Sequence, residues 1–157
     1  MFALLFMTPA FADDPLLGHI DEEAIHWSDL DGVGDMYVNK TCPYASPGCV
    51  RQTQQDVFAQ WLGIQLSERA LEDAGLPVTE TFVDARIADV ATSFKLETVD
   101  ALRVKVEEDG MPWEVYRRSM RDTLVEARMT QFLQLSGIQP EAWMGWAMER
   151  YGVELNR

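Results

Sequence analysis

The amino-acid sequence predicts a mainly α fold, one helical module of about five helices preceded by a short N-terminal β-hairpin. From about residue 52 onward, apolar residues recur at steps of three and four, which places them on one face of a helix. Gly75, Gly110 and Gly137 divide this pattern, because glycine readily adopts the left-handed conformation that ends many helices. Alternating apolar and polar residues over positions 18–30 predict the hairpin.

Each predicted helix has its own start or stop signal. Thr79 is a good N-cap for the second helix, and Pro112 and Pro140 stand where the first turn of a helix tolerates proline. Residues 32–47 contain turn-forming residues without any period and are predicted to be a loop. The five predicted helices cover about residues 52–74, 80–94, 97–108, 112–136 and 140–153.

Composition and charge narrow the class of protein. The chain has 157 residues, 47% of them hydrophobic and 25% charged, which is typical of a single folded domain. Its formal net charge is −13, and such a chain repels phosphate backbones and anionic membrane surfaces. We therefore expect no nucleic-acid partner and no stable membrane insertion.

The first twelve residues point to export. They form an apolar run that closes with the small-x-small pattern Ala10-Phe11-Ala12. The run lacks the usual basic start, and it is shorter than the roughly 20 apolar residues that a bilayer span needs. We expect residues 1–12 to be the end of a cleaved signal peptide and residues 13–157 to form the domain. The alternative is an apolar tail packed on that domain.

Two cysteines agree with an exported protein. Cys42 and Cys49 flank a loop that contains proline and glycine, so its ends can approach, and an oxidising compartment would join the two thiols. We predict a structural disulfide. A redox or zinc site is the less favoured alternative, because there is no Cys-x-x-Cys and the two histidines are distant.

The last predicted helix is apolar on nearly all sides, so it has to be buried or to present an adhesive surface. Methionine repacks easily around varied partners, and tryptophan offers a large contact area, so the pattern favours a peptide-binding groove. Burial in the core is the alternative, and for Tyr116 it is the stronger one. The predicted peptide-binding residues are Trp113, Tyr116, Met120, Phe132, Trp143, Met144, Trp146 and Met148.

Signals for metal or catalytic chemistry are weak. Asp29, Asp31 and Asp35 have a spacing similar to that of a calcium loop, but Val33 and Lys40 occupy positions where ligands belong. An acidic turn is the favoured interpretation, and calcium stays a weak alternative. No nucleophile signature accompanies the histidines, and we expect no cofactor.

Three stretches of the sequence, within about residues 20–153, carry a family resemblance. The first is IDEEAIHWSDLDG, residues 20–32, which resembles the opening hairpin of the N-terminal domain of the SurA-type periplasmic chaperones. Residues 57–91 are similar to its long first helix and the turn that follows. Residues 108–143, including EDGMPWEVYRRSM and GIQPEAW, resemble its glycine turn, the helix that follows and the exit of the domain, and they are the most specific part of the resemblance. The Cys42–Cys49 loop departs from the family pattern.

The resemblance implies a periplasmic chaperone-like protein that binds unfolded or extended segments of outer-membrane or secreted proteins. Because the sequence ends at Arg157, before any parvulin domain, we expect no prolyl isomerase activity and no other catalysis. The alternative is an interaction or assembly subunit. Its Trp/Met-rich C-terminal helix would then dock on a fixed partner or on a second copy of the chain.

Overall fold

The structure is a computed structural model that describes residues 14–30 and 33–156. Helices form most of this part of the chain. The mainly α prediction is therefore confirmed. The predicted signal peptide lies outside the described residues. The helices are a 3-10 helix Trp27–Leu30, α1 Val33–Thr41, α2 Pro47–Asp73, α3 Glu80–Ser93, α4 Val99–Glu108, α5 Trp113–Ser136 and α6 Pro140–Arg150.

The N-terminal hairpin is confirmed, and it forms part of a larger sheet. Strand β1 (Leu16–Ile20) pairs in antiparallel orientation with β2 (Glu23–His26) on one side and with β3 (Glu154–Leu155) on the other. The sequence did not predict β3. Gly18 makes this pairing possible, because a Cβ atom there would lie 2.5 Å from the carbonyl oxygen of Glu154.

The loop predicted over residues 32–47 is wrong, because α1 occupies much of it. On this helix Met36 and Tyr37 are exposed and contribute little to the main core. The helix packs against α2 and against the preceding 3-10 helix. The indole nitrogen of Trp27 donates a hydrogen bond to Asp35 at 2.8 Å, and Gly34 leaves room for the Trp27 ring. Helix α2 also begins at Pro47, five residues earlier than predicted.

Apolar stripes of α2, α3, α5 and α6 meet in one core, and α4 adds Leu102. Leu66 and Ala147 are fully enclosed, and Leu71, Val83, Ile87 and Val125 are almost so. Helices α2, α4 and α5 end where the sequence predicts, and the glycines that follow them, Gly75, Gly110 and Gly137, all have positive φ. The remaining buried members of this core are Ile20, Ile25, Leu62, Val78, Ala91, Met129, Leu133, Trp143 and Tyr151.

Ion pairs join the helices outside the core. Arg121 on α5 pairs with Glu68 on α2 and, at 2.8 Å, with Glu80 on α3. Arg117, one turn earlier, pairs with Glu80 at 2.6 Å and with Asp84 at 2.7 Å. These two arginines therefore connect α5 to both α2 and α3.

The sheet is attached to the helices by side chains near the two ends of the chain. Arg69 on α2 pairs with Asp21 in the hairpin turn at 2.9 Å. The hydroxyl of Tyr151 donates a hydrogen bond to Asp73 at 2.9 Å, and the Asp21 amide donates to the Tyr151 carbonyl. The hairpin and the segment after α6 therefore lie together against the C-terminal end of α2.

Candidate functional site

An open groove lies between α2, α5 and α6, and we call it the α2–α5–α6 groove. Its volume is about 640 Å³, large enough for several side chains of an extended peptide. All three helices and the α5–α6 turn contribute to its walls. The lining residues are Ala59, Gln60, Gly63, Ile64, Ser67, Glu126, Met129, Thr130, Leu133, Gln134, Gly137, Ile138, Gln139, Pro140, Trp143 and Met144.

The floor of this groove belongs to the core, whereas its rim is accessible. Met129, Leu133 and Trp143 are buried and reach the groove from below. Met144 is partly buried, and its terminal methyl lies 3.6 Å from where a Cβ atom of Gly63 would be. Glu126 is the one charged residue in the lining. The groove therefore suits apolar side chains and offers adaptable methionine at its wall.

A second groove lies on the other side of α5, against α3, and we call it the α3–α5 groove. Its volume is about 580 Å³. Phe82 and Leu135 are exposed along it, and the Arg128 guanidinium carbon lies 5.1 Å from the centroid of the Phe82 ring. The lining residues are Leu76, Val78, Phe82, Ala85, Arg86, Asp89, Leu124, Ala127, Arg128, Gln131, Phe132 and Leu135.

The structure separates the eight predicted peptide-binding residues instead of bringing them together. Trp143 and Met144 line the α2–α5–α6 groove, and Phe132 lines the α3–α5 groove. Trp113 and Tyr116 stack on each other with their ring centroids 5.3 Å apart. These two and Met120 are partly buried, pack against the core and line neither groove.

Helix α6 is divided between burial and exposure. Trp143 is only 7% exposed, so it is a core residue with one edge in the groove. Trp146 is 52% exposed and meets Tyr151 edge to face, with ring centroids 6.3 Å apart. Met148 is partly buried against the core. The expected excess of apolar surface on this helix therefore reduces to Trp146 and to the accessible parts of Met144 and Met148.

Sequence reasoning missed the contribution of α2 to the groove. Ala59, Gly63 and Ile64 form that wall, and Ile138 extends it from the α5–α6 turn. Gly63 was the feature of the sequence that could have indicated this wall of the groove. A glycine inside an otherwise regular helical pattern costs about 0.5–1 kcal/mol relative to alanine, so it often marks a close approach.

The predicted disulfide is present, with the Cα atoms of Cys42 and Cys49 5.9 Å apart. Of the calcium candidates, Asp31 lies outside the described residues. Asp29 accepts a hydrogen bond from the His26 amide at 2.7 Å, and Asp35 accepts one from Trp27. In the part of the chain that the structure describes, no cluster of three or more His, Cys, Asp or Glu side chains could hold a metal.

One carboxylate near the α2–α5–α6 groove has an altered acidity. Burial raises the pKa of Asp122 from 3.8 to about 6, and the negative charges of Glu68 and Glu126 act in the same direction. Arg118 and Arg121 oppose this rise without cancelling it. Asp122 lies one helical turn before Glu126, which lines the groove, but Asp122 itself is not among the lining residues.

Comparison with known proteins gives a partial match to one kind of chaperone. Chaperone SurA of Bordetella pertussis is 32% identical over 81 residues, which is 52% of this chain and 15% of that protein. Chaperone SurA of Xanthomonas oryzae pv. oryzae is 28% identical over 129 residues, which is 80% of this chain and 27% of that protein.

This chain is a weak homologue of chaperone SurA over part of its length. The match is consistent with a SurA N-terminal-like domain, as the sequence resemblance predicted. The matched region spans less than a third of either SurA relative. No protein-family profile matches the chain. Among residues 14–30 and 33–156, no helix is long and apolar enough to cross a membrane.

Proposed function

We propose that this protein is a periplasmic chaperone-like module that binds unfolded or extended segments of exported proteins in the α2–α5–α6 groove, without catalysis. The observation that carries the proposal is the groove itself, an open and mainly apolar furrow of about 640 Å³. Weak homology to chaperone SurA supports a chaperone-like role in general. The Cys42–Cys49 disulfide and the apolar residues 1–12 support export to an oxidising compartment.

The chemistry of the groove suits varied clients and weak binding. Met129 and Met144 can change rotamer to fit different side chains, whereas a rigid pocket would select one. Burying one large apolar side chain contributes about 1.5–3 kcal/mol. Two or three such side chains, less the cost of ordering the peptide, correspond to dissociation constants of roughly micromolar to millimolar. Such affinities allow a client to be released quickly.

A matched pair of glycine substitutions tests the proposal. Gly63→Leu places a side chain in the groove beside Met144, whereas Gly145→Leu adds the same side chain on α6 where an added Cβ meets no atom within 4 Å. We expect Gly63→Leu to weaken the binding of a labelled aromatic-rich peptide at least about tenfold in fluorescence anisotropy. We expect Gly145→Leu to bind like the parent chain.

The same variants should be compared for their ability to delay aggregation of a denatured outer-membrane protein. The proposal predicts a delay with the parent chain and with Gly145→Leu, and a shorter delay with Gly63→Leu. A parent chain that neither binds the peptide nor delays aggregation would contradict it, and so would equal activity of the two variants. Thermal unfolding of each variant checks that the fold is intact.

A second candidate function is an assembly subunit that docks through α6 on a fixed partner or on a second copy. The observation that favours it is the half-exposed Trp146 beside Gly145 on an open helix face. Under this proposal, light scattering gives a dimer that persists on dilution, and Trp146→Ala and Gly145→Leu both disrupt it. A monomer that binds peptides independently of Trp146 would contradict it.

A further inference from the structure

The α3–α5 groove is an apolar surface separate from the groove in which we propose client binding. Leu135 is 81% exposed and Phe82 is 49% exposed, although both are large apolar side chains. Leu76, at the end of the same groove, is also exposed. Three such side chains along one furrow form an apolar strip rather than the scattered single residues that are ordinary on protein surfaces.

Charge distinguishes this groove from the rest of the chain. Its lining contains Arg86 and Arg128 against one acid, Asp89, which gives a local charge of 2 − 1 = +1. The whole chain has a formal charge of −13. The groove is therefore a locally cationic site on a strongly anionic protein.

Arg86 and Arg128 also differ from the arginines that join the helices. Arg69, Arg117 and Arg121 each pair with a carboxylate. Among the described residues, neither Arg86 nor Arg128 forms an ion pair, even though the chain has twice as many acids as bases. Their guanidinium groups remain available to a carboxylate from outside the chain.

The arrangement of Arg128 prepares it for such a ligand. The contact with the Phe82 ring restricts the guanidinium while its N–H donors stay available at the edges. A planar guanidinium can donate two parallel hydrogen bonds to one carboxylate, and charge-assisted bonds of this kind are about twice as strong as neutral ones. Exposed Phe82 and Leu135 offer apolar contact beside it.

We propose that the α3–α5 groove binds a polypeptide segment in which an aromatic or aliphatic side chain stands close to an aspartate or glutamate. The apolar side chain packs on Phe82 and Leu135, and the carboxylate accepts hydrogen bonds from Arg86 or Arg128. This second site extends the proposed chaperone function, because one client could occupy both grooves through different segments. It does not depend on binding in the α2–α5–α6 groove.

Two peptides of equal length test the proposal on the full chain. Both have a central tryptophan and leucine, flanked by glutamates in one and by lysines in the other. The net charge of the chain favours the lysine peptide in general. Tighter binding of the glutamate peptide would therefore have to come from a local site. We expect Arg86→Gln/Arg128→Gln to weaken glutamate-peptide binding about tenfold and to leave lysine-peptide binding unchanged.

Three control variants separate this site from other effects. Arg51→Gln removes a cation outside both grooves and should leave glutamate-peptide binding unchanged. Leu135→Glu places an acid on an exposed position of the groove without disturbing the core, and should weaken that binding. Gly63→Leu should leave it intact, even if client binding in the other groove is lost.

The proposal is overturned if both peptides bind equally, or if Arg86→Gln/Arg128→Gln and Arg51→Gln have the same effect. Loss of glutamate-peptide binding in Gly63→Leu would also overturn it, because that result places the peptide in the α2–α5–α6 groove. Failure of Gly63→Leu to alter aromatic-peptide binding, with the arginine result as expected, would refute the proposed function and leave this site in place.

Discussion

Replacing Asp122 by asparagine should stabilise the fold at neutral pH. The carboxyl group is partly buried on α5, and this burial, together with the charges of Glu68 and Glu126, raises its pKa from 3.8 to about 6. Arg118 and Arg121 offset only part of this effect. At pH 7 the folded chain must therefore hold an ionised carboxylate in a place that favours the neutral form.

The magnitude follows from that difference of about two pH units. At roughly 1.36 kcal/mol per unit it corresponds to about 3 kcal/mol, and we expect about 1–3 kcal/mol because the side chain keeps some contact with water. The folded state binds the proton more tightly than the unfolded state. This tighter proton binding by Asp122 stabilises the folded state fully below pH 3.8, and the stabilisation is lost as the pH rises through about 6.

Urea unfolding followed by circular dichroism measures this effect. We expect Asp122→Asn to raise the free energy of unfolding at pH 7, and most of the gain to disappear at pH 4.5, where Asp122 in the folded parent is protonated. Glu126→Gln removes the same charge one turn away at an exposed site, and should change stability by about 0.5 kcal/mol or less. A gain of equal size at both pH values, or no gain at pH 7, would refute the reasoning.

Three further predictions test other parts of the fold by urea or thermal unfolding. Arg121→Ala should lower the free energy of unfolding by about 1–3 kcal/mol, because it leaves Glu68 without this partner. Arg103→Ala breaks an exposed ion pair within α4 and should cost under about 1 kcal/mol. Equal effects of the two substitutions would contradict the proposed role of the ion pairs. Leu66→Ala removes a fully enclosed side chain and should cost about 2–5 kcal/mol, and a smaller loss would indicate that the core collapses around the site. Cys42→Ala/Cys49→Ala opens a short loop and should cost about 2–3 kcal/mol; a stability unchanged by dithiothreitol in the parent chain would refute this.

Local features of the sequence predicted the elements that depend on neighbouring residues. The hairpin, α2 to α6 and their glycine stops all follow from periodicity and from turn chemistry within a few residues. The disulfide was predictable for the same reason, because Cys42 and Cys49 are only seven positions apart. Helix α1 was not predicted, because its segment is rich in turn-forming residues and its contacts with α2 and with Trp27 appear only in the tertiary structure.

The candidate site was predictable only in part, because a groove is a property of helices that are distant in sequence. The pattern identified Trp143 and Met144, but it could not show that Gly63, about 80 positions earlier, forms the opposite wall. The pattern also treated Trp143 and Trp146 alike, although packing against α2 and α5 buries the first and leaves the second half exposed.

The sequence by itself determined the helical class, the hairpin, the disulfide and the resemblance to SurA-type chaperones, because each depends on short-range spacing or on motifs. The tertiary structure alone decided the third strand, the two grooves and the distribution of charge between them. Such features arise where residues distant in sequence come together, as Arg86 and Arg128, about 40 positions apart, line one groove from two helices. Short-range periodicity indicates which face of a helix is apolar, but not which part of that face a neighbouring helix covers.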